Sequence, residues 1–288
     1  MSTPDNAAWP ARSDLRPLPI TVVAVQSQVV YGRVGNNVAL PALREHGLEV
    51  AAVPTVVLSN TPHYITCHGG PIPTDWFKGY LDDLRARGAL ESVRVVLAGF
   101  MGGPEQAAVL AEWLRLIESE GTRALFIVDP VIGDHDHGVY VDPRMVEAYR
   151  TEILPLAHGI TPNGFELERL TGMPVRTLEE VEAAARSLLS DRLKWITVTS
   201  AAPETWPEGQ MRVLVVTADG AELIEHRRLD TTPKGTGDLF SAELVARWLN
   251  GASVVDAVRA ACERVVAALE FTARAQCAEL LLPGVQAS

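Results

Sequence analysis

Short runs of apolar, mostly β-branched residues recur along this chain at 20–25, 93–98, 124–128 and 195–199, and stretches in helical period lie between them. A brief continuous apolar run suits a strand buried on both faces, which arises where helices cover both sides of a sheet. The helical patterns fall near 36–46, 75–87, 106–120 and 178–189. Strand–helix alternation with right-handed crossovers leaves few topologies. The expectation is an α/β fold with a central, mostly parallel sheet flanked by helices on both faces.

Two stretches depart from simple alternation. Residues 50–58 form a further strand-like run, closed by Ser59-Asn60-Thr61-Pro62-His63-Tyr64, which reads as a loop leaving the sheet. Residues 213–217 and 221–226 flank Ala218-Asp219-Gly220, a hairpin signal that makes at least one sheet edge antiparallel. The last third is helical, over 239–249 and 254–273. Residues 1–19 are polar and contain proline, so a flexible arm is expected there, followed by a single domain over 20–288.

Charge and composition exclude some functions. The chain has 36 acidic and 25 basic residues, a net charge of −11, and no basic cluster beyond Arg227-Arg228, which disfavours nucleic acid as a partner. No uninterrupted apolar stretch has the length of a membrane span, and no signal-peptide pattern opens the chain. Cys67, Cys262 and Cys277 match no zinc spacing, and Cys262 sits in an apolar helical run. A cytoplasmic protein is expected.

The richest chemistry lies in Pro233-Lys234-Gly235-Thr236-Gly237-Asp238-Leu239-Phe240-Ser241. A glycine turn that opens a helix aims unpaired backbone N–H groups at one point, where an anion can sit. Asp238 stands beside that point, which suggests phosphoryl transfer to a hydroxyl. A plain helix start after a flexible turn is the competing reading. Ligands of open α/β sheets bind beyond the carboxyl ends of the strands. Those ends supply Ser27, Asp129, Thr161 and Thr199, with Glu166 in a helix that follows. Three of these have a structural alternative: Ser27 as a turn residue, Asp129 before Pro130 as a turn starter, Glu166 as a first-turn carboxylate rather than a magnesium ligand. His63, His68, His135 and His137 read as loop histidines. No P-loop, no Gly-x-Gly-x-x-Gly after the first strand and no Gly-x-Ser-x-Gly elbow occurs.

The segment Lys234 to Phe240 resembles the signature of the ribokinase-like small-molecule kinases. Ala24 to Asn36, Pro54 to Tyr64, Val128 to Asp134 and Ile160 to Glu166 resemble, in order, the opening, substrate-loop, nucleotide and metal segments of bacterial vitamin B6 kinases. This resemblance implies a ribokinase-like fold with an antiparallel edge hairpin, usually a homodimer. It implies Ser27 and His63 at the pyridine substrate, Asp238 as catalytic base, and the amides of Gly235, Thr236 and Gly237 as an anion hole. Asp129, Thr161, Glu166, Thr199, Thr236 and the strand end His226, Arg227, Arg228 and Leu229 would line the ATP site. Glu166 and the backbone at Tyr140 would lie near Mg2+. The expected reaction is ATP-dependent phosphorylation of the 5′-hydroxymethyl group of pyridoxal, pyridoxine and pyridoxamine. Thr61-Pro62-His63-Tyr64 follows Ser59-Asn60 where other branches carry His-Thr-Gly-Tyr, which favours the branch accepting several vitamers. A hydroxymethylpyrimidine kinase of the same fold and a non-catalytic B6-binding protein are the alternatives.

Overall fold

A computed structural model describes residues 15–284. Most of the arm expected over 1–19 lies outside the described residues. The chain forms, in order, β1 (Val22–Val29), α1 (Asn36–Glu45), β2 (Val50–Leu58), β3 (Gly69–Pro71), α2 (Thr74–Ala86), β4 (Val95–Ala98), α3 (Pro104–Ser119), β5 (Leu125–Val128), β6 (Gly133–Asp134), β7 (Gly138–Val139), α4 (Met145–Ala148), β8 (Gly159–Ile160), α5 (Gly164–Thr171), α6 (Leu178–Leu188), β9 (Trp195–Val198), β10 (Gln210–Thr217), β11 (Ala221–Arg227), α7 (Thr236–Leu249) and α8 (Val254–Arg274). The expected alternation of strands and helices is present; most boundaries shift by one or two residues, while β1 runs four residues further and β10 and α7 each begin three residues earlier than expected.

One nine-stranded sheet runs β11-β10-β9-β8-β5-β4-β1-β2-β3. Neighbours from β9 through β2 pair in parallel. The β10–β11 hairpin makes one antiparallel edge as expected, and β3 makes a second on β2. Pro54 is tolerated within β2 because β3 pairs only with Val56, Val57 and Leu58, so Pro54 has no strand on its outer side. The small β6–β7 hairpin stands apart from the sheet.

Buried strand side chains alternate between two layers. Val22, Ala24, Val95, Leu97, Ile127, Val213 and Val215 pack under α1, α7 and α8. Val23, Val25, Val96, Ala98, Phe126, Val128, Ile196 and Val198 pack under α2 to α6. This two-sided burial is why the strands read as unbroken apolar runs. Burying each such side chain contributes roughly 1.5–3 kcal/mol, which fixes the strand register that aligns their ends. Cys262 lies in the α8 core layer, as its setting implied.

Strand order reverses between β1 and β4: from β1 the chain moves outward to β2, and β4 then returns on the other side. A crevice at the carboxyl ends of the strands therefore opens at this switch point.

Candidate active site

Backbone hydrogen bonds hold the strand ends in a row. The N–H of Gly99, just beyond β4, donates to Val25 O at 3.0 Å; that of Asp129 to Ala98 O at 2.8 Å; that of Thr161 to Val128 O at 2.9 Å. Thr199 continues the rim through a parallel bridge to Asn163. Because β11 runs parallel to β9, the segment His226 to Leu229 leaves the sheet on the same side. Ser27 occupies the other end, at a β-bulge between Gln26 and Gln28.

The first turns of α7 lie over this row. Gly235 starts the helix at φ 95°, and no side chain caps it. A Cβ at Gly235 would fall 2.0 Å from the carbonyl oxygen of Arg33, so close approach and left-handed backbone both demand glycine. The first-turn N–H groups are thus left without a side-chain partner, in the positive end of the helix dipole. Ser241, one turn further on, donates to Asp129 Oδ2 at 3.2 Å and shares a 3.0 Å hydrogen bond with Thr161 Oγ1. These bonds seat α7 on the ends of β5 and β8.

Asp238 is partly buried, and its Oδ2 accepts the N–H of Gly35 at 2.8 Å. Desolvation raises its carboxyl above the usual range, while the Gly35 N–H pulls it back. Burial is therefore the larger influence at this helix start, and it makes Asp238 a better proton acceptor than a solvated aspartate. Asp129 is pushed well above the carboxylate range, first by burial and then by the neighbouring Glu166 and Asp238 charges.

Glu166 is 3 % exposed. With Asn163 it forms a reciprocal capping box at the start of α5. One carboxylate oxygen accepts the N–H of Ile132 at 2.9 Å and, more weakly, of Gly133 at 3.5 Å; the other accepts the N–H of Asn163 at 2.9 Å. Burial nonetheless pushes its carboxyl up to about 7. Asn163 Nδ2 also donates to Gly133 O at 2.8 Å, tying the β6–β7 hairpin to the rim. Tyr140 follows that hairpin, and its N–H donates to Ile132 O at 3.2 Å. Burial and the Glu166, Asp134, Asp129 and Asp238 carboxylates raise the Tyr140 phenol. Within the hairpin His137 pairs with Asp134, and His135 stands edge-on to Phe165.

His63 is exposed on the loop after β2. Its Nδ1 lies 2.7 Å from Thr61 Oγ1, and its ring stacks on Tyr64 with centroids 4.4 Å apart. The loop is stitched to the end of β1 by the N–H of Tyr31, which donates to Ser59 O at 2.9 Å. Tyr31 and Tyr64 meet edge to face at 6.0 Å. Ser27, near the end of β1, and His63, on the loop after β2, thus lie on connected segments on the β1 side of α7. At the opposite end, Arg228 lies over the Trp206 ring, 5.8 Å from its centroid, whereas Arg227 pairs with Glu270 of α8. His226 is half-buried, and burial lowers its pKa.

Sequence reasoning overlooked Ser241, Asn163, Gly35 and Tyr64. Asn163-x-x-Glu166 carries the capping-box spacing, and Ser241 stands three residues after Asp238 on the same helix face, so both had a local signal. Gly35 and Tyr64 fall within the segments that carry the resemblance, but nothing local marks the contacts they make. Among the described residues no group of three or more His, Cys, Asp or Glu side chains is placed to hold a metal ion.

An uncapped helix start, a carboxylate beside it and a row of polar strand ends at a switch point define a site for transferring an anionic group to a hydroxyl. The family model described as phosphomethylpyrimidine kinase matches residues 40–279. A pyridoxine/pyridoxal/pyridoxamine kinase of Bordetella bronchiseptica is 58 % identical over 277 residues, covering 96 % of this chain and 98 % of the relative. A pyridoxal kinase PdxY of Rubrobacter xylanophilus is 34 % identical and covers 93 % of each chain. The pyridoxal kinase of Leishmania donovani, solved with ADP and pyridoxine, superposes with a TM-score of 0.82 at 28 % identity, covering 91 % of this chain and 90 % of its own. The chain belongs to the family of pyridoxal kinases with the ribokinase-like fold.

Proposed function

We infer that this protein transfers the γ-phosphoryl group of ATP to the 5′-hydroxymethyl oxygen of pyridoxal, pyridoxine and pyridoxamine. The uncapped start of α7, with Asp238 held against the β1–α1 loop by Gly35, is the observation that carries the reading. The Bordetella relative, named for all three vitamers, supports the acceptor class. The Leishmania neighbour, solved with ADP and pyridoxine, supports the pairing of nucleotide and pyridine alcohol.

Phosphoryl transfer passes through a loose transition state, so positioning and charge neutralisation do most of the work. Asp238 accepts a hydrogen bond from the substrate hydroxyl and takes its proton as the new P–O bond forms. The N–H groups of Gly235, Thr236 and Gly237 meet charge on the transferred oxygens. Ser27 and His63 hold the pyridine. Asp129, Thr161, Glu166 and Thr199 line the nucleotide side of the rim, and His226 to Leu229 extend it, with Arg228 the cation whose partner there is an aromatic ring rather than a carboxylate. Asp129 and Glu166 are buried oxygen donors whose ionisation is disfavoured in isolation, and that chemistry fits Mg2+. Magnesium, when bound with ATP, neutralises the β- and γ-phosphates. The Glu166 oxygens already accept backbone N–H groups, so Glu166 would reach the ion through water, near the Tyr140 backbone.

Two looser parts of the reading belong here. A homodimer is supported by exposed apolar side chains on β2, on the loops after β1 and β2 and on α2, among them Val57, Val30, Tyr31, Ile65, Trp76 and Tyr80. A cytoplasmic location agrees with the substrates, and no described helix is long and apolar enough to cross a membrane.

Hydroxymethylpyrimidine is the rival acceptor, since it too is a flat heteroaromatic ring bearing a hydroxymethyl group, and the matched family model is described as phosphomethylpyrimidine kinase. Steady-state turnover with pyridoxal, pyridoxine, pyridoxamine and hydroxymethylpyrimidine, each with Mg·ATP, decides the matter. The three vitamers are expected to have the highest kcat/KM. A higher kcat/KM for hydroxymethylpyrimidine than for every vitamer would overturn the assignment, and absence of turnover with all four would leave a binding protein.

A further inference from the structure

Glu279 lies beyond the last helix, far in sequence from the acceptor loops, yet the residue is 6 % exposed and its carboxylate is wedged between them. Its two oxygens are divided. Oε2 accepts the N–H of Arg33 in the β1–α1 loop at 3.1 Å, and Oε1 accepts the Tyr64 hydroxyl in the loop after β2 at 2.5 Å. Gly32, at φ 115°, leaves room for the carboxylate, since a Cβ there would meet Oε2 at 2.7 Å.

Each contact leads to the reaction site in one further step. The carbonyl oxygen of Arg33 is the atom against which Gly235 packs at the start of α7. Two residues on, the N–H of Gly35 holds Asp238. On the other side, the Tyr64 ring stacks on His63. The hydrogen bond to Glu279 is the foremost reason the Tyr64 phenol is held above its ordinary value, so Tyr64 stays a donor.

We propose that Glu279 is a positioning residue for the acceptor: one carboxylate clamps the β1–α1 loop to the loop carrying His63, and so fixes the pyridine pocket relative to Asp238. This rests on the acceptor reading given above. A buried carboxylate with a divided pair of hydrogen bonds sets the distance between its partners better than either bond alone, and a loop left free would have to be ordered by the substrate at a cost in affinity.

The test compares wild type with Glu279→Ala, Glu279→Gln and Tyr64→Phe in two measurements. In kinetics with the preferred acceptor, Glu279→Ala is expected to raise the acceptor KM about tenfold or more while the Mg·ATP KM stays within about twofold. Glu279→Gln should recover much of the loss, because its carbonyl can accept from Arg33 and its amide can donate to the Tyr64 oxygen. Tyr64→Phe should give a smaller rise, and combining it with Glu279→Ala should add less than the sum. In hydrogen–deuterium exchange, which needs no turnover, Glu279→Ala should speed exchange in segments 30–36 and 59–68 and leave α3 and α6 unchanged. Unchanged exchange in both loops, or equal rises in both KM values, would overturn the proposal. Failure of the acceptor reading is recognised separately, as absence of wild-type turnover on all four alcohols.

Discussion

The N–H of Gly35 donates to Oδ2 of Asp238 across 2.8 Å and 203 residues of sequence. One carboxylate oxygen is thereby fixed by backbone, and the side chain has a defined direction from the first turn of α7. Asp238→Asn preserves an acceptor for Gly35 but removes the base. It is expected to lower kcat by about a hundred- to ten-thousand-fold while Mg·ADP affinity, measured by titration calorimetry, changes little. A near-wild-type kcat would mean that Asp238 is not the base.

Gly235→Ala tests the turn rather than the base. A side chain there faces both a φ of 95° and the Arg33 carbonyl at 2.0 Å. Neither is relieved by a rotamer change, so backbone must move. The expected stability loss is about 1–3 kcal/mol, read as a lower melting temperature. Because the displaced backbone carries the Gly35–Asp238 contact, kcat should fall more than tenfold even at temperatures where the variant is fully folded.

Ser241 and Ser27 separate the two halves of the rim. Ser241→Ala removes the hydroxyl that joins Asp129 to Thr161 and withdraws a bond that favours ionised Asp129. Leaving those buried groups short of a partner is expected to cost about 1–3 kcal/mol of stability, read as a lower melting temperature, and the loosened nucleotide rim should raise the Mg·ATP KM. Ser27→Ala, at the β1 end, should instead raise the acceptor KM and leave the nucleotide KM near wild type. Initial-rate matrices in both substrates distinguish the outcomes.

Much of this architecture was legible because it rests on local patterns. Two-sided burial produced the apolar runs, and parallel pairing then placed Ser27, Asp129, Thr161 and Thr199 on one rim. What escaped depends on backbone geometry or distant contacts. The second antiparallel edge is Gly69-Gly70-Pro71, which has no side-chain alternation to read. The π-helical turn at Tyr149–Ile153, between α4 and β8, has no residue signature separating it from an ordinary helix. The position of Glu166 allows either a first-turn carboxylate or a magnesium ligand, and the three backbone N–H groups that its oxygens accept emerge only in the fold. The tie from Glu279 to Arg33 spans 246 residues and exists only once the fold closes.

The elevated carboxyl of Glu166 links pH to both stability and nucleotide binding. Its folded value of about 7 exceeds the ordinary 4.5, so between those values the folded chain holds a proton that the unfolded chain has lost. By linkage, this group's contribution makes the ligand-free protein less stable as pH rises through that window, and the full cost is present above about 7. A cation bound with the nucleotide favours the ionised form and reverses the preference. Mg·ADP binding at pH 6.5 should therefore release protons, detected as a binding enthalpy that depends on the ionisation enthalpy of the buffer. At pH 8.5, where Glu166 is already ionised, that dependence should be much smaller, and affinity should be tighter than at pH 6.5. Equal proton release at both pH values would separate Glu166 from the metal–nucleotide site and leave its buried carboxylate a purely structural cap on α5.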